Sequence, residues 1–505
     1  MRTFLSGNCP TGAELTRSLR KVVTLDDLAM AQSALEMAQS LGATYADVRL
    51  IRTRSQAIDV KSGRLEGVTN RYGGGIGVRA FVDGAWGFAG NPDLKLKKIK
   101  IAVERAVEIA KASAKVKAQE VKLAPVEPTH DSWSSPCKES PFDVPLEEKL
   151  DLLFACTEEM MKVEGLALCR ATMNFREENK LFVSTDGSII RQRVVQTGGG
   201  ISATSVGASG VQTRSYPQGF RGQFENRGFE LIRSMPLLEN CQRIAKEAVQ
   251  LQDAPQCENG YTTIILGGQQ LALQVHESCG HPTELDRVLG TEVNFAGSSF
   301  MTPDLLGNLQ YGSEHVTITS DATIEGSLGS FGWDDEGVPG QRFTIIDKGR
   351  FVEYQTSRET APILGVRANG TMLADGWNNL PLIRMATVSL QPGDIPYGEL
   401  IATTDDGLLL CDNRSWSIDD RRVNFQFGTE VGWKIEKGKI VGMVKNPIYS
   451  GITTEFWNSC DGVADKDSWS VVGLPNCGKG QPPQTARVAH GVSYARFRNV
   501  KVGVG

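Results

Sequence analysis

Basic residues are not in excess in this 505-residue chain. Its 54 Lys and Arg stand against 59 Asp and Glu, for a formal net charge of −5. A nucleic-acid surface needs a Lys/Arg excess to neutralise phosphates, so direct nucleic-acid binding is not expected. No stretch approaches about 18 uninterrupted apolar residues, which excludes a membrane-spanning helix from the expectation. The first ten residues, Met1 to Pro10, carry no apolar run of signal-peptide length. Ten cysteines are scattered without a CxxC pair. That usage points to free thiols in a reduced, cytoplasmic setting, and it leaves a cysteine available as a soft zinc ligand. Histidine is scarce as well, with five in the whole chain.

What is present is the make-up of a globular protein: 40% hydrophobic and 22% charged residues. A chain of this length exceeds one ordinary core, so two or three domains are expected. Thr24 to Asp27 reads as a capping-box-like helix start. Leu28, Ala31, Leu35, Ala38 and Leu41 then recur at helical spacing, and Gly42 offers a stop. Ala46, Val48 and Leu50 alternate as a strand, and Asp83-Gly84 marks a hairpin. Residues 92 to about 117 read as a basic helix. Prolines at 125, 128, 136, 141 and 145 punctuate a segment expected as a linker over the surface. Leu146 to Val163 reads as a helix, strands follow with a turn at Asp186-Gly187, and a further helix spans Pro236 to Leu251. Helix, strands, helix thus occurs twice. Beyond Glu314 short strands are broken by Gly, Asp and Pro.

The expected fold class is α+β. An N-terminal α/β part with helices flanking antiparallel sheets precedes a β-rich C-terminal domain that carries a buried helix. The expected divisions are 24–120, a linker 121–145, a middle α/β domain 146–255, and a C-terminal catalytic domain 256–505.

Two of the five histidines lie in the block His276-Glu277-Ser278-Cys279-Gly280-His281. Neutral imidazoles are common zinc ligands, and a carboxylate beside them is placed to take a proton from attacking water. The spacing is one residue longer than in the His-Glu-x-x-His pattern of zinc peptidases. On an α-helix, residues five apart differ by roughly 140°, too far for one ion to reach both rings. A helix starting near Gln269 is therefore expected to distort between Glu277 and His281. Either a π-bulge adds a residue to the turn, or the helix ends at Gly280 in a left-handed conformation. Pro282 favours disruption. Leu271-Ala272-Leu273-Gln274-Val275 would bury this helix, and buried imidazoles need partners.

The run Gln274 to Pro282 resembles the signature of the TldD/PmbA family, historically called modulators of DNA gyrase. Gly332-Trp333-Asp334-Asp335-Glu336-Gly337-Val338-Pro339 is similar to the family's Asp-Asp-Glu-Gly segment. Asn476-Cys477-Gly478-Lys479-Gly480-Gln481 is similar to its C-terminal Cys-Gly block. The early hairpin around Gly73 to Gly90 also fits. The resemblance runs from about residue 25 to about 500, leaving 1–23 outside it. It implies a zinc metallopeptidase acting on unfolded or flexible peptides inside a cavity enclosed by a dimer. The dimer would be of identical chains or with a PmbA/TldE-like subunit. It implies one zinc held by His276, His281 and Cys477, with Glu277 as the general base. The chain keeps all four positions, as the TldD branch does.

Spacing alone leaves Cys477, His490, His315 and Glu284 as rival third ligands. Glu284 or Asp286 could accept from an imidazole N–H, or both could sit in a solvated turn. Asp334, Asp335 and Glu336 could bind a peptide amine or another metal, or form a plain acidic turn. Cys279 reads as a small residue filling space behind the helix rather than as a nucleophile. Gly73 to Gly77 lacks the strand and helix of a phosphate loop and reads as a strand with close backbone approach. The rival to hydrolysis is a non-enzymatic, zinc-stabilised peptide-binding or chaperone-like subunit. Another zinc hydrolase such as an amidase would share the metal chemistry.

Overall fold

Alternation from Tyr45 onwards decides how the first half of the molecule is layered. Val48, Leu50, Ile58 and Val60 are apolar and buried. They lie an even number of residues apart, so an extended chain puts them on one face. Arg49, Thr53 and Ser55 then fall on the other. In the computed structural model, which describes residues 24–219, 222–294 and 297–503, this segment is strand β1 (Tyr45–Lys61). It belongs to an eight-stranded sheet with β2 (Arg64–Val82), β3 (Ala85–Asn91), β4 (His130–Ser134), β5 (Leu166–Ser184), β6 (Ile189–Gly207), β7 (Gly210–Tyr216) and β8 (Gln223–Glu225). Residues 1–23, and with them the N-terminal ten, lie outside the described residues.

Helices cover the even face. Leu25–Ser40 starts with the expected capping box, in which Asp27 N–H donates to Thr24 Oγ1 and Thr24 N–H to Asp27 Oδ2. This helix and Leu96–Ala114 bury Ala31, Leu35, Val103 and Ala106 against Val48, Leu50, Ile76 and Val78. The helices Leu146–Met161 and Leu237–Asp253 bury Leu153, Ile244 and Ala245 against Ile58, Val60 and Met173. Strand β1 pairs antiparallel with β5 from Asp47 opposite Ser184 to Lys61 opposite Arg170. The two helix–strand–helix runs therefore share one continuous sheet. The proline-rich stretch 121–145 does more than connect them. Between Pro128 and Pro136 it contributes β4, parallel to Ile189–Arg193 of β6.

The other face of this sheet carries the second half of the chain. Gly75 and Gly77 lie opposite Ile51 and Arg49, and Trp377 is laid on them. A Cβ at Gly75 would stand 2.5 Å from its ring, and one at Gly77 would stand 2.1 Å from its carbonyl oxygen. The glycine run is thus a site of close approach, as its sequence context suggests.

The second half is β-rich. Gly260–Leu266 sits inside a nine-stranded sheet with Asn413–Ile418 at one edge and Lys439–Val444 at the other. A four-stranded sheet, the hairpin Ser470–Lys479/Gln484–Val492 and the short pair Met372–Leu373/Leu382–Ile383 accompany it. Between them the helix Gly268–Val275 is buried along its length, in a core with Ile345, Phe427, Tyr449, Trp457 and Phe497. The protein is α+β, with helices on an antiparallel N-terminal sheet and a β-rich C-terminal part around the motif helix. No helix among the described residues is long and apolar enough to cross a membrane.

Candidate metal centre

The extra residue between the histidines is absorbed by a π-turn. The α-helix Gly268–Val275 continues as a π-helical turn over His276–Gly280, closed by a bond from His281 N–H to the His276 carbonyl. A 3₁₀ turn, His281–Thr283, follows. Gly280 keeps right-handed dihedrals, φ −72° and ψ −68°, so the left-handed ending is not the one used. Widening the helix leaves carbonyls without their usual partners, and side chains satisfy them. The Thr283 hydroxyl donates to the Cys279 and Gly280 carbonyls, and the Gln355 amide also donates to Gly280 O. Glycine is needed at 280 for space: a Cβ there would stand 2.0 Å from Met385 Sδ.

The third residue arrives from the hairpin. The register shifts between Leu474 and Cys477, so Pro475 and Asn476 form a bulge. Bulges re-aim neighbouring side chains and tolerate proline. Cys477 Sγ comes to 3.5 Å from His281 Nε2. One donor atom from each of His276, His281 and Cys477 lies within 4.8 Å of the others, and all three residues are buried.

Hydrogen bonds fix which nitrogen each ring presents. His490 Nδ1 lies 2.8 Å from the Val388 carbonyl, which can only accept, so this nitrogen carries a proton. Burial, followed by the neighbouring His276, holds His490 well below the usual histidine range and keeps it neutral. Its Nε2 therefore accepts from His276 Nδ1, 2.8 Å away. His281 Nδ1 donates to Glu284 Oε2 at 2.9 Å. Both motif rings thus spend Nδ1–H on outer partners and turn Nε2 inward, the arrangement that orients metal-binding imidazoles. Burial raises the Cys477 thiol, but His276, Arg384 and His281 outweigh it and hold the thiol well below its usual range. Burial keeps His281 well below the histidine range, whereas at His276 the Cys477 charge outweighs burial and raises it.

Glu277 points into a cleft of about 380 Å³ that is also lined by Trp416, Arg422 and Asn476. Its carboxylate pairs with the Arg422 guanidinium. Arg422 sits in the turn after the edge strand, at φ +67°. Nothing in the local sequence singled it out.

The other candidates fall elsewhere. His490 stands behind His276, Glu284 behind His281, and His315 is exposed and outside the cluster. Asp286 holds Lys479 Nζ at 2.7 Å, and Lys479 in turn lies 3.4 Å from Glu284 Oε2. These groups are buried, so the solvated-turn reading does not hold. Cys279 is fully buried, with its thiol pushed up to about 12 by burial, and it fills space.

Asp334, Asp335 and Glu336 neither face the cleft nor form a plain turn. Asp334 accepts from the N–H groups of Glu336, Val338 and Met372. Asp335 takes Lys180 Nζ at 2.7 Å, and Glu336 takes Arg79 at 3.2 Å. Lys180 and Arg79 come from the N-terminal sheet, so the acidic run ties the two halves together.

Comparison with known proteins agrees along most of the chain. Family models described as PmbA/TldA metallopeptidase domain 1, central domain and C-terminal domain match residues 46–110, 139–252 and 259–504. A metalloprotease from Methanocaldococcus jannaschii is 30% identical over 441 residues, covering 86% of this chain and 92% of that one. A zinc metalloprotease TldD homolog from Saccharolobus solfataricus is 28% identical over 245 residues, 48% of this chain and 52% of its own length. The crystal structure of TldE from Thermococcus kodakarensis superposes with a TM-score of 0.69 at 18% identity, covering 94% of this chain and all of that one.

Proposed function

The chain belongs to the PmbA/TldD metallopeptidase family, and from that premise we propose that it is a zinc peptidase of unfolded or flexible peptides. His276, His281 and Cys477 are the ligands of one zinc ion, and Glu277 is the general base. The observation that carries this reading is the convergence of two inward-turned Nε2 atoms and one sulfur on a common point. Two imidazoles and a low-pKa thiol are a borderline-soft donor set that suits zinc. Three protein donors beside an open cleft fit a catalytic site better than a structural one, which has four.

When bound, zinc supplies Lewis acidity towards a scissile carbonyl and makes water easier to deprotonate. The protein supplies the rest. Glu277 takes the proton from the attacking water and delivers it to the leaving amine. Arg422 fixes the direction of the Glu277 carboxylate through their ion pair. The edge strand Asn413–Ile418 brings Trp416, Ser417 and Ile418 to the cleft. An unpaired strand edge accepts an extended peptide by backbone pairing, which favours unfolded substrates over folded ones.

The nine cysteines among the described residues are all free, in keeping with a cytoplasmic setting. The working unit in this reading is a dimer, with a second copy or with a TldE-like subunit, and it encloses the cleft. Light scattering of the purified chain, alone and mixed with such a subunit, distinguishes the two.

The rival reading is a zinc-stabilised binding subunit without hydrolysis. Purified zinc-loaded protein is expected to cleave an unstructured peptide, to stop with a chelator and to recover with zinc. Glu277→Gln is expected to retain zinc and lose about 10²-fold or more in rate. Zinc retention with no cleavage by the wild type would favour the rival.

A further inference from the structure

A second, larger concavity adjoins the cleft. It encloses about 810 Å³ between the N-terminal sheet and the hairpin that carries Cys477, and Asn476 lines both spaces. Among the described residues its lining holds three arginines, Arg71, Arg176 and Arg487, and no carboxylate. That composition runs against the net negative charge of the chain. Strand register explains how the floor is made. Ser55 lies opposite Arg71 on β2 and opposite Arg176 on β5, and Arg176 lies opposite Gln196 on β6. Residues directly opposite in a sheet share a face, so the four form one row across the concavity. Arg487 faces them from the hairpin, next to Ala486, the partner of Cys477.

These cations are poorly compensated from within the protein. Arg71 is exposed and has no carboxylate partner among the described residues. The carboxylate paired with Arg487, that of Asp375, stands at 3.9 Å, beyond hydrogen-bond reach. Burial, followed by the like charge of Arg176, lowers the Arg487 guanidinium to about 10. Arg176 has a close internal partner, Glu178 at 2.7 Å. Arginine presents a planar fork of donors matched to a carboxylate, and threonine, serine, asparagine and glutamine supply neutral donors and acceptors around it.

We propose that this concavity is a carboxylate-binding subsite for the peptide substrate, with Arg71 on the sheet floor and Arg487 on the hairpin selecting acidic segments that flank the bond placed at the metal cleft. The proposal rests on the peptidase reading, because it assigns the substrate class of the same site. A carboxylate reaches the subsite from an Asp or Glu side chain or from a peptide C-terminus.

The test uses unstructured, fluorescently labelled 12-residue peptides that differ only in three Glu or three Gln, each with a free or an amidated C-terminus. Binding is measured by anisotropy to the full chain carrying Glu277→Gln, so that cleavage does not interfere. The carboxylate-bearing peptide is expected to bind about tenfold or more tightly than its neutral counterpart. That preference is expected to fall to about twofold or less when Arg71→Gln or Arg487→Gln is added. Arg71 is exposed, so its replacement leaves the fold intact, as circular dichroism will check. If amidation rather than Glu-to-Gln exchange removes the preference, the subsite reads the terminus. Equal binding of all four peptides, or a preference that survives both arginine replacements, overturns the proposal. Cleavage of the same peptides by the zinc-loaded wild type is followed in parallel. Preference without cleavage would refute the peptidase reading and leave the subsite standing. Cleavage without preference would do the reverse.

Discussion

Each imidazole of the motif is held by one outer partner, and neither partner touches the cleft itself. His490 accepts from His276 and is fixed in turn by the Val388 carbonyl, while Glu284 accepts from His281 and is flanked by Lys479. Removing such a partner frees the ring to rotate and to change tautomer. His490→Ala and Glu284→Ala, which leave no acceptor for the imidazole N–H, are each expected to weaken zinc binding by about 10- to 100-fold, measured by competition with a chromogenic chelator. Unchanged affinity in both would show that these bonds do not orient the ligands. Arg422→Gln is expected to retain zinc and slow cleavage, since it frees the Glu277 carboxylate. The sequence exposed the histidine pair because histidine is rare in the chain. It could not choose the third donor, because Cys477 lies 196 residues beyond His281 and is brought in by a bulge. Arg422 was invisible to it, since an arginine in a polar turn carries no spacing signal.

At the scale of elements, the π-turn follows from arithmetic. Residues five apart on an α-helix face different ways, so one residue had to be accommodated between the histidines. That much was legible. Which device accommodates it was not, because tertiary contacts decide: Thr283 and Gln355 satisfy the loosened carbonyls, and Met385 fills the space beside Gly280. Gly280→Ala forces a methyl group against the buried Met385 sulfur. The expected cost is about 1–3 kcal/mol in denaturant unfolding. Combined with Met385→Ala, the two effects are expected to be less than additive. Additive effects would mean that the two residues do not compete for one space. The helices and hairpins of the N-terminal half were readable from capping residues and period, as Thr24, Asp27 and the Asp83-Gly84 turn illustrate, with both turn residues at positive φ.

Across the whole molecule, buried ion pairs join the two halves. Arg79 links Asp47 of the N-terminal sheet to Glu336, and Lys180 holds Asp335 with Arg49 nearby. Burial raises the Asp335 carboxyl, but Lys180 and Arg49 outweigh it and leave it below the usual carboxylate range. A group with a lowered folded pKa contributes stability above its unfolded pKa, near 3.8. That contribution is lost as pH falls through the folded value. Asp335→Asn is expected to cost about 3–5 kcal/mol by leaving Lys180 uncompensated. It is also expected to flatten the loss of stability below about pH 4 by roughly one proton. Melts of both proteins between pH 2 and pH 7 check both points, and parallel pH profiles would count against the assignment. Two helix–strand–helix runs are legible in the sequence, but their fusion through β1 and β5 is not. The halves share little sequence, and pairing between distant strands leaves no local trace.

X-ray absorption at the zinc edge tests directly whether two imidazoles and the Cys477 sulfur hold a single zinc ion. The zinc-loaded wild type is expected to show one sulfur at about 2.3 Å and two imidazole nitrogens at about 2.0 Å. In Cys477→Ala the sulfur shell is expected to vanish. A wild-type spectrum without sulfur, or a sulfur shell that persists in Cys477→Ala, would contradict that coordination.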